Sequence, residues 1–315
     1  MSETPEILGV QQVVESAWLD QAIWSETANQ LKRELVKWRN VASVAGVLGA
    51  ILETLAASLT GLGEEWRWLR ASIALFGAVI LAAVPYLLRN KASKDHVRNW
   101  VRARSTSEAL KETIFRFLIK VQPFHSSSTP ADLINRCQIL KKKVTDLSAE
   151  AAAVEPPTRE WPTSLDIDGY VDSRLNGQVK EYYQKKGREK ALAAKKLHNL
   201  EFGLGLLAVI MGAVSSSVAA AGWSHLSALG PWVAVVTTAG AAVTAHLAAS
   251  RYDHEAMTYF GTANRLIGIR DAWVSDPNRH DPSCITKLVD DSEHAISTEN
   301  EAWLAEWTRE QPKKS

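Results

Sequence analysis

The chain carries almost no net charge and has only two cysteines among its 315 residues. Lys and Arg together number 36 and Asp and Glu number 35, whereas a nucleic-acid-binding protein usually shows a clear basic excess. Cys137 and Cys284 form neither a C-x-x-C pair nor a metal-ligand spacing, which is typical of a protein in a reducing compartment. We therefore expect no nucleic-acid partner and no bound metal.

The common motifs of enzymatic chemistry are also missing from the sequence. No G-x-x-x-x-G-K-[ST] phosphate loop occurs, and the pair Gly203 and Gly205 lies inside an apolar run with no strand before it. His254-Glu255 lacks the second histidine of an H-E-x-x-H zinc motif. No serine or cysteine lies in a recognisable nucleophile motif. The expectation is a protein without enzymatic activity and without a cofactor.

Four long apolar runs are present, at about residues 41–62, 71–88, 200–222 and 230–250. A helix rises about 1.5 Å per residue, so about 20 residues cross a hydrocarbon core of roughly 30 Å. Glu53 and Glu201 are the only acidic residues in these runs, which contain no Lys or Arg. The core helix of a soluble bundle keeps a polar stripe, which these runs lack. The sequence therefore predicts four transmembrane helices.

Small residues recur at every fourth position in each of these runs. Such rows allow helix backbones to approach closely in a membrane, where the hydrophobic effect does not drive helix association. The predicted helix-packing positions are Gly46, Ala78, Ala208, Gly212 and Ala245.

Polar side chains within the runs are the candidates for a functional site. Glu53 lies near the middle of the first run, where a carboxyl group is costly and tends to face the bundle interior or water. A protonated carboxyl that only packs is the alternative. Ser216, Thr237, Thr238 and His246 add polar character to the last two runs. They either line a pore or, more simply, form interhelical hydrogen bonds and, for His246, local packing contacts.

The distribution of Lys and Arg predicts the orientation in the membrane. Nineteen basic residues lie before the first and third runs and after the second and fourth, whereas the two hairpin tips hold only Arg67 and Arg70. We expect a multi-pass protein of the cell inner membrane with both termini cytoplasmic. The tips also carry the paired tryptophans that are typical of an interfacial aromatic belt, namely Trp66, Trp68, Trp223 and Trp232.

The order of segments indicates an internal duplication. The first repeat covers residues 1–154, the second covers 167–315, and a proline-rich linker at 155–166 joins them. The predicted fold class is an all-α membrane protein, with two transmembrane helical hairpins and long cytoplasmic helices. These helices are expected at about residues 17–40, 89–121, 130–154, 170–199, 251–273 and 282–307.

Each repeat closes with a helix that a proline opens, Pro130 in the first and Pro282 in the second. In the first, apolar or small residues follow the alternating spacing of four and three that is typical of a coiled coil. The seam is interpreted as packing on the long helices of the same chain, with a subunit interface as the alternative. Its members are Leu133, Cys137, Leu140, Val144, Leu147, Ala151 and Val154.

The stretch 171–199, with Gln178, Tyr182-Tyr183 and Lys185-Lys186 leading into a hairpin of two apolar runs, resembles the SLATT family. These are two-transmembrane effector domains associated with SMODS nucleotidyltransferases and SLOG sensors in bacteria. Residues 18–120 are similar to a second, divergent copy. The resemblance implies a pore or channel-like membrane effector of an anti-phage or conflict system. It also implies a separate cytoplasmic sensor or nucleotide-signalling protein as a partner.

Four helices in one chain barely enclose a pathway, so a homo-oligomer embedded in membrane lipid is the expected assembly. The cytoplasmic helices would then control the pore. The alternative is a non-conducting membrane scaffold, in which the hairpins anchor the chain and the long helices bind or cluster cytoplasmic partners. Flux of ions through purified protein in liposomes separates the two hypotheses.

Overall fold

The computed structural model describes residues 5–59, 64–155, 157, 165–221 and 230–308, and no strand occurs among them. They form ten α-helices, with 3₁₀ turns at Glu64–Trp66 and Thr145–Leu147 and π-helical segments at Val171–Asn176 and Gln178–Tyr183. In chain order the helices are α1 (Pro5–Ser58), α2 (Arg67–Lys91), α3 (Lys94–Leu118), α4 (Pro130–Lys142), α5 (Ser148–Ala152), α6 (Ile167–Tyr170), α7 (Gln184–Ala220), α8 (Gly230–Ser250), α9 (Tyr252–Ser275) and α10 (Pro282–Thr308).

Four helical stretches are long and apolar enough to cross a membrane, and they contain α1, α2, α7 and α8. Each holds one of the four apolar runs, so the predicted fold class, an all-α membrane protein, is confirmed. At the tip of the first hairpin, the side chain of Trp68 is 75% exposed. Outside the described residues lie Trp223, most of the linker at 155–166, and the ends of the predicted first and third runs.

The chain interrupts its helices where the two hairpins end. Helix α2 ends at Lys91 and α3 begins at Lys94, while Arg251, with a φ of 50°, separates α8 from α9. A positive φ is uncommon for a residue with a side chain and cannot continue a right-handed helix. Each outgoing span and the long helix after it are therefore separate elements.

The closing helix of the first repeat is shorter than predicted, because α4 ends at Lys142 rather than continuing to residue 154. The hydroxyl of Thr145 donates to the carbonyl of Lys142, and the hydroxyl of Ser148 donates to the carbonyl of Thr145. Such local side-chain bonds compete with the helical backbone pattern. The seam nevertheless points inward along the broken segment, where Leu133, Cys137, Val144, Leu147 and Val154 are buried within the chain.

The helices form two compact units, and each unit takes segments from both repeats. The first, called here the bundle unit, contains Met1–Glu34, Lys94–Gly187 and Met257–Ser315. The second, called here the span unit, contains Leu35–Ser93 and Arg188–Ala256, and thus all four apolar runs. The core of the bundle unit mixes the two repeats, since Phe115 of α3 packs in one cluster with Leu175 and Val289.

Candidate functional site

A fully buried arginine lies at the centre of the bundle unit. Arg174 is in the first π-helical segment, and its side chain is 0% exposed. Its Nε and Nη2 donate to the two carboxylate oxygens of Glu293 on α10, at 2.9 and 2.7 Å. This bidentate pairing is the strongest geometry available to an arginine and a carboxylate. The guanidinium also lies 5.5 Å from the ring centre of Phe115.

Two further side chains complete this buried network. The hydroxyl of Tyr170 donates to Glu293 at 3.0 Å, and Nη1 of Arg174 donates to Glu108 of α3 at 3.3 Å. Burial alone would lower the pKa of Arg174, but the paired carboxylate of Glu293 raises it overall. Burial, followed by the charge of Glu293, raises the pKa of Tyr170 well above its ordinary value. The arginine therefore stays charged and the phenol stays neutral.

A second ion-pair group continues the network along α3. Arg116 donates to Glu112 on its own helix at 2.8 Å and to Asp290 of α10 at 2.7 Å. Burial and the nearby carboxylate of Glu293 raise the pKa of Glu112 despite its contact with Arg116. Helix α3 of the first repeat is thus joined to α10 of the second directly by the Arg116–Asp290 pair, and indirectly by Arg174, which bonds to both Glu108 and Glu293.

Two neighbouring cavities, of about 310 and 400 Å³, lie along α3 in the bundle unit. Glu112 and Leu140 line both of them. Arg174 and Glu293 line the smaller one, and Arg116 and Asp290 the larger. The walls come from both repeats, so a small polar molecule bound here would contact both. This region is the candidate regulatory site.

The first repeat holds a matching ion pair with the charges reversed. Lys141 of α4 lies 2.5 Å from Asp20 of α1, and both side chains belong to the bundle unit. Lys141 and Glu293 occupy the same position in their helices, eleven residues after the opening proline of each. In each repeat, therefore, a charged pair joins the leading helical segment to the closing helix. The leading segment supplies the acidic residue in the first repeat and the basic residue in the second.

Glu53 lies on α1 in the span unit, against the backbone of α2. Its side chain is half-buried, and a Cβ atom added at Gly77 would lie 3.1 Å from Oε1 of Glu53. Among the described residues, no hydrogen bond or ion pair is formed by this carboxylate. The structure therefore places a carboxyl group, with no partner among the described residues, within an apolar helix pair.

The polar candidates of the second hairpin are satisfied close to their own helices. Thr237 and Thr238 donate to the carbonyls of Val233 and Ala234, at 2.7 and 2.8 Å. Ser216 is exposed and donates to the carbonyl of Ala213 at 3.0 Å. These three hydroxyls form no interhelical hydrogen bond in the described residues, whereas Thr244 of α8 donates to Glu201 of α7 at 2.5 Å. Pore lining and interhelical bonding by Ser216, Thr237 and Thr238 both stay predictions.

His246 is half-buried, and its Nε2 lies 3.3 Å from the hydroxyl of Ser250. Its ring centre is 6.1 Å from that of Tyr252, at the start of α9. Both neighbours belong to the end of α8 and the start of α9, so these contacts are local, and the role of His246 in packing, an interface or a pore stays a prediction. The structure does not bring His246, Ser216, Thr237 or Thr238 into contact with Glu53.

The five predicted packing positions differ in their surroundings. Cβ atoms added at Gly46 and Gly212 would meet no atom within 4 Å, Ala78 and Ala245 are exposed, and Ala208 is half-buried. Contacts of these positions with other helices or other subunits stay a prediction.

Gly49 and Gly77 form the close helix contact that is present in the first hairpin. Added Cβ atoms there would lie 3.2 Å from the carbonyl oxygen of the opposite glycine. Neither glycine belongs to the four-residue rows, so the rows did not reveal this contact.

Sequence reasoning also missed the network around Arg174. Glu293 lies beside Ser292, a polar residue among the spaced apolar positions Ile285, Val289 and Ile296 of α10, and this polar interruption is the only local signal. A charged residue next to a seam is usually solvated, so the pattern alone does not identify a buried pair.

Comparison with known families gives two matches, one for each repeat. The family model described as "SMODS and SLOG-associating 2TM effector domain 1" (SLATT_1) matches residues 170–303. A family described as "Protein of unknown function (DUF4231)" matches residues 20–132. Comparisons with curated proteins and with solved structures found no match.

Proposed function

We propose that this chain, whose residues 170–303 belong to the SLATT family of two-transmembrane effector domains and follow a divergent copy, works as an oligomeric pore. In this proposal the pore lies in the cell inner membrane, and the bundle unit faces the cytoplasm and controls it. The trigger is a separate cytoplasmic sensor or nucleotide-signalling protein, and the setting is a bacterial anti-phage or conflict system. The chain itself performs no enzymatic step.

The observation that carries the proposal is the openness of the apolar helices. In the most apolar window of the four span-containing stretches, only 17%, 6%, 0% and 11% of the residues are buried within the chain. One copy therefore leaves most of its span surface to lipid or to other copies. Gly46 and Gly212, with open space where a side chain would begin, allow close approach of a helix from a neighbouring copy.

Glu53 supports a hydrated path rather than a passive anchor. A carboxylate within a span costs on the order of 2.5–3.5 kcal/mol on insertion scales and is retained where it meets water, a proton or a partner. The described residues of the chain supply no partner. In a ring of copies, such groups would form an acidic constriction that favours cations.

Loss of cation flux is the expected result of Glu53→Gln, because the amide has the shape of the carboxylate without its charge. The parent, reconstituted in liposomes, should release a trapped potassium gradient, and the variant should do so several-fold more slowly. Glu65→Gln is the matched control, since Glu65 is exposed at the hairpin tip and should leave the flux unchanged.

A parent protein that assembles in liposomes but releases no ions would contradict the pore. The scaffold hypothesis would then be preferred, and it has one structural argument in its favour. Thr237, Thr238 and Ser216 bond to carbonyls of their own helix, so they need no water-filled path. Equal flux through the parent and Glu53→Gln would support the pore but show that Glu53 does not contribute to permeation.

The two native cysteines can show on which side of the membrane the bundle unit lies. Cys137 is 4% exposed, and burial raises the pKa of its thiol to about 11, so it should stay unmodified. Cys284 is half-exposed on α10. A membrane-impermeant maleimide should therefore modify Cys284 only after the cells are permeabilised, which mass spectrometry of the intact chain would reveal.

The control for this labelling is Glu65→Cys in a Cys284→Ser background. Glu65 lies at the tip of the first hairpin, so its cysteine should react with the same maleimide on intact cells. Rapid modification of Cys284 in sealed cells would contradict a cytoplasmic C-terminus.

A further inference from the structure

Two lysines from different helices converge on one tryptophan where the first hairpin ends. Nζ of Lys37 on α1 lies 5.7 Å from the ring centre of Trp38, and Nζ of Lys91 on α2 lies 5.8 Å from it. Both lysines are exposed, and Trp38 is half-buried. Arg89, also exposed, lies two residues before Lys91 in the last turn of α2. We call Lys37, Trp38, Arg89 and Lys91 the collar of the first hairpin.

No acidic side chain of the described residues neutralises the cations of the collar. Lys37, Arg89 and Lys91 form no ion pair there, and the nearby Asp95 pairs with Arg98 at 3.0 Å. At the corresponding end of the second hairpin, Lys190 pairs with Glu255 at 2.6 Å and His198 lies 3.0 Å from Asp253. The collar is thus a group of three cations that form no ion pair among the described residues.

The position of the collar determines what kind of anion can reach it. The apolar runs begin at about residue 41 and end at about residue 88, so the four residues lie at the boundary of the hydrocarbon core. Tryptophan is enriched at the headgroup level of a bilayer, and basic residues next to a span attract anionic lipids. Tyr86, 67% exposed on α2, adds a second amphipathic ring at the same end.

We propose that the collar binds the headgroup of an anionic phospholipid. The lipid phosphate lies between the ammonium groups of Lys37 and Lys91, and the indole of Trp38 lies beside the glycerol region. Arg89 supplies a further cation to the headgroup. This site requires only that the first hairpin crosses the membrane, so it holds whether or not the protein conducts ions.

The test uses the full chain in detergent, with phosphatidylglycerol or phosphatidylcholine added, and counts bound lipids by native mass spectrometry. The parent should retain phosphatidylglycerol in preference to phosphatidylcholine. Lys37→Gln combined with Lys91→Gln should weaken phosphatidylglycerol binding about thirtyfold, since each lysine near an anionic surface contributes about fivefold. Trp38→Leu should weaken it without changing the charge.

The matched control is Lys195→Gln combined with Lys196→Gln. These lysines are also exposed and close to a span, but both come from α7 and neither is placed over an aromatic ring in the described contacts. If this control loses as much phosphatidylglycerol binding as the collar variant, the effect depends only on total charge and the proposal is overturned. Displacement of the lipid by inorganic phosphate alone at equal concentration would also overturn it, because the site would then bind a free anion.

A cooperative thermal unfolding transition of each variant in phosphatidylcholine would show that the variant is folded. If the double variant does not fold, Lys91→Gln alone gives the same comparison, with an expected weakening of about fivefold.

Discussion

Arg174→Met is expected to lower the free energy of unfolding by about 3–5 kcal/mol, the cost of leaving one partner of a buried ion pair alone. Glu293 is 2% exposed, and in the variant it would keep only the hydroxyl of Tyr170 as a described partner. Glu108 would lose the same guanidinium. Thermal or denaturant unfolding of the purified protein in detergent, followed by circular dichroism, measures this loss.

Arg98→Met provides the control for this variant. Arg98 is on α3 in the same unit and pairs with Asp95 at 3.0 Å, but both side chains are largely exposed. Exposed pairs contribute about 0–1 kcal/mol, so this variant should melt close to the parent. Equal losses for Arg98→Met and Arg174→Met would show that the buried network does not stabilise the bundle unit.

The pH dependence of stability should include a contribution from Glu108. Burial opposes ionisation of this carboxyl, but the charges of Arg174, Lys111 and Arg104 outweigh it and hold its pKa below the usual range. A carboxyl with a lowered folded-state pKa contributes stability above its unfolded pKa, and this contribution is lost as the pH falls. In Arg174→Met this acid-side dependence should be weaker.

Gly77→Leu is expected to separate α1 from α2 in the first hairpin. A Cβ at this position would lie 3.1 Å from Cβ of Leu52 and 3.2 Å from the carbonyl oxygen of Gly49, and leucine adds three further carbons. Forcing extra carbons into a close contact costs typically about 1–3 kcal/mol or shifts the backbone. The melting temperature in detergent should therefore fall clearly below that of the parent.

Gly46→Leu tests whether the loss of stability in Gly77→Leu comes from the Gly49–Gly77 contact or from any leucine added within a span. Gly46 lies on α1 one turn before Gly49, and a Cβ there meets nothing within 4 Å in the chain. The isolated chain should tolerate this change, whereas an assembly that packs a neighbour on Gly46 should dissociate, as size-exclusion chromatography would show. A Gly77→Leu protein as stable as the parent would contradict the close contact.

The sequence predicted the fold class because the length of an apolar run and the exclusion of charge from it can be read directly from the order of residues. Neither depends on which side of a helix faces which neighbour. The break of the closing helix at Lys142 was not predictable in the same way, because Thr145 and Ser148 fit a helix surface as well as a turn. Hydroxyl bonds to the backbone decide between the two states, and they leave no periodic pattern.

The candidate regulatory site along α3 was not predicted, whereas the separate candidate Glu53 was. Glu53 was identifiable because an acidic residue within an apolar run is rare. Arg174 and Glu293 were not, since charged residues are common in polar segments and their pairing depends on two elements 119 residues apart. The row of small residues pointed to Gly46, whereas the close contact within the chain uses Gly49, because the angle at which the two helices cross is absent from the sequence.

The reversed ion pairs bear on how a duplicated chain assembles correctly. If the closing helices of the two repeats exchanged places, Asp20 would face Glu293 and Arg174 would face Lys141, two like-charge contacts instead of two attractive ones. Proteins exclude wrong partners by placing like charges together in the wrong pairing, which raises the free energy of that pairing. In an assembly of copies, a neighbour that placed its α10 against the leading helix of the first repeat would meet the same repulsion. The two repeats have thus diverged so that each closing helix is complementary in charge only to the leading helix of its own repeat.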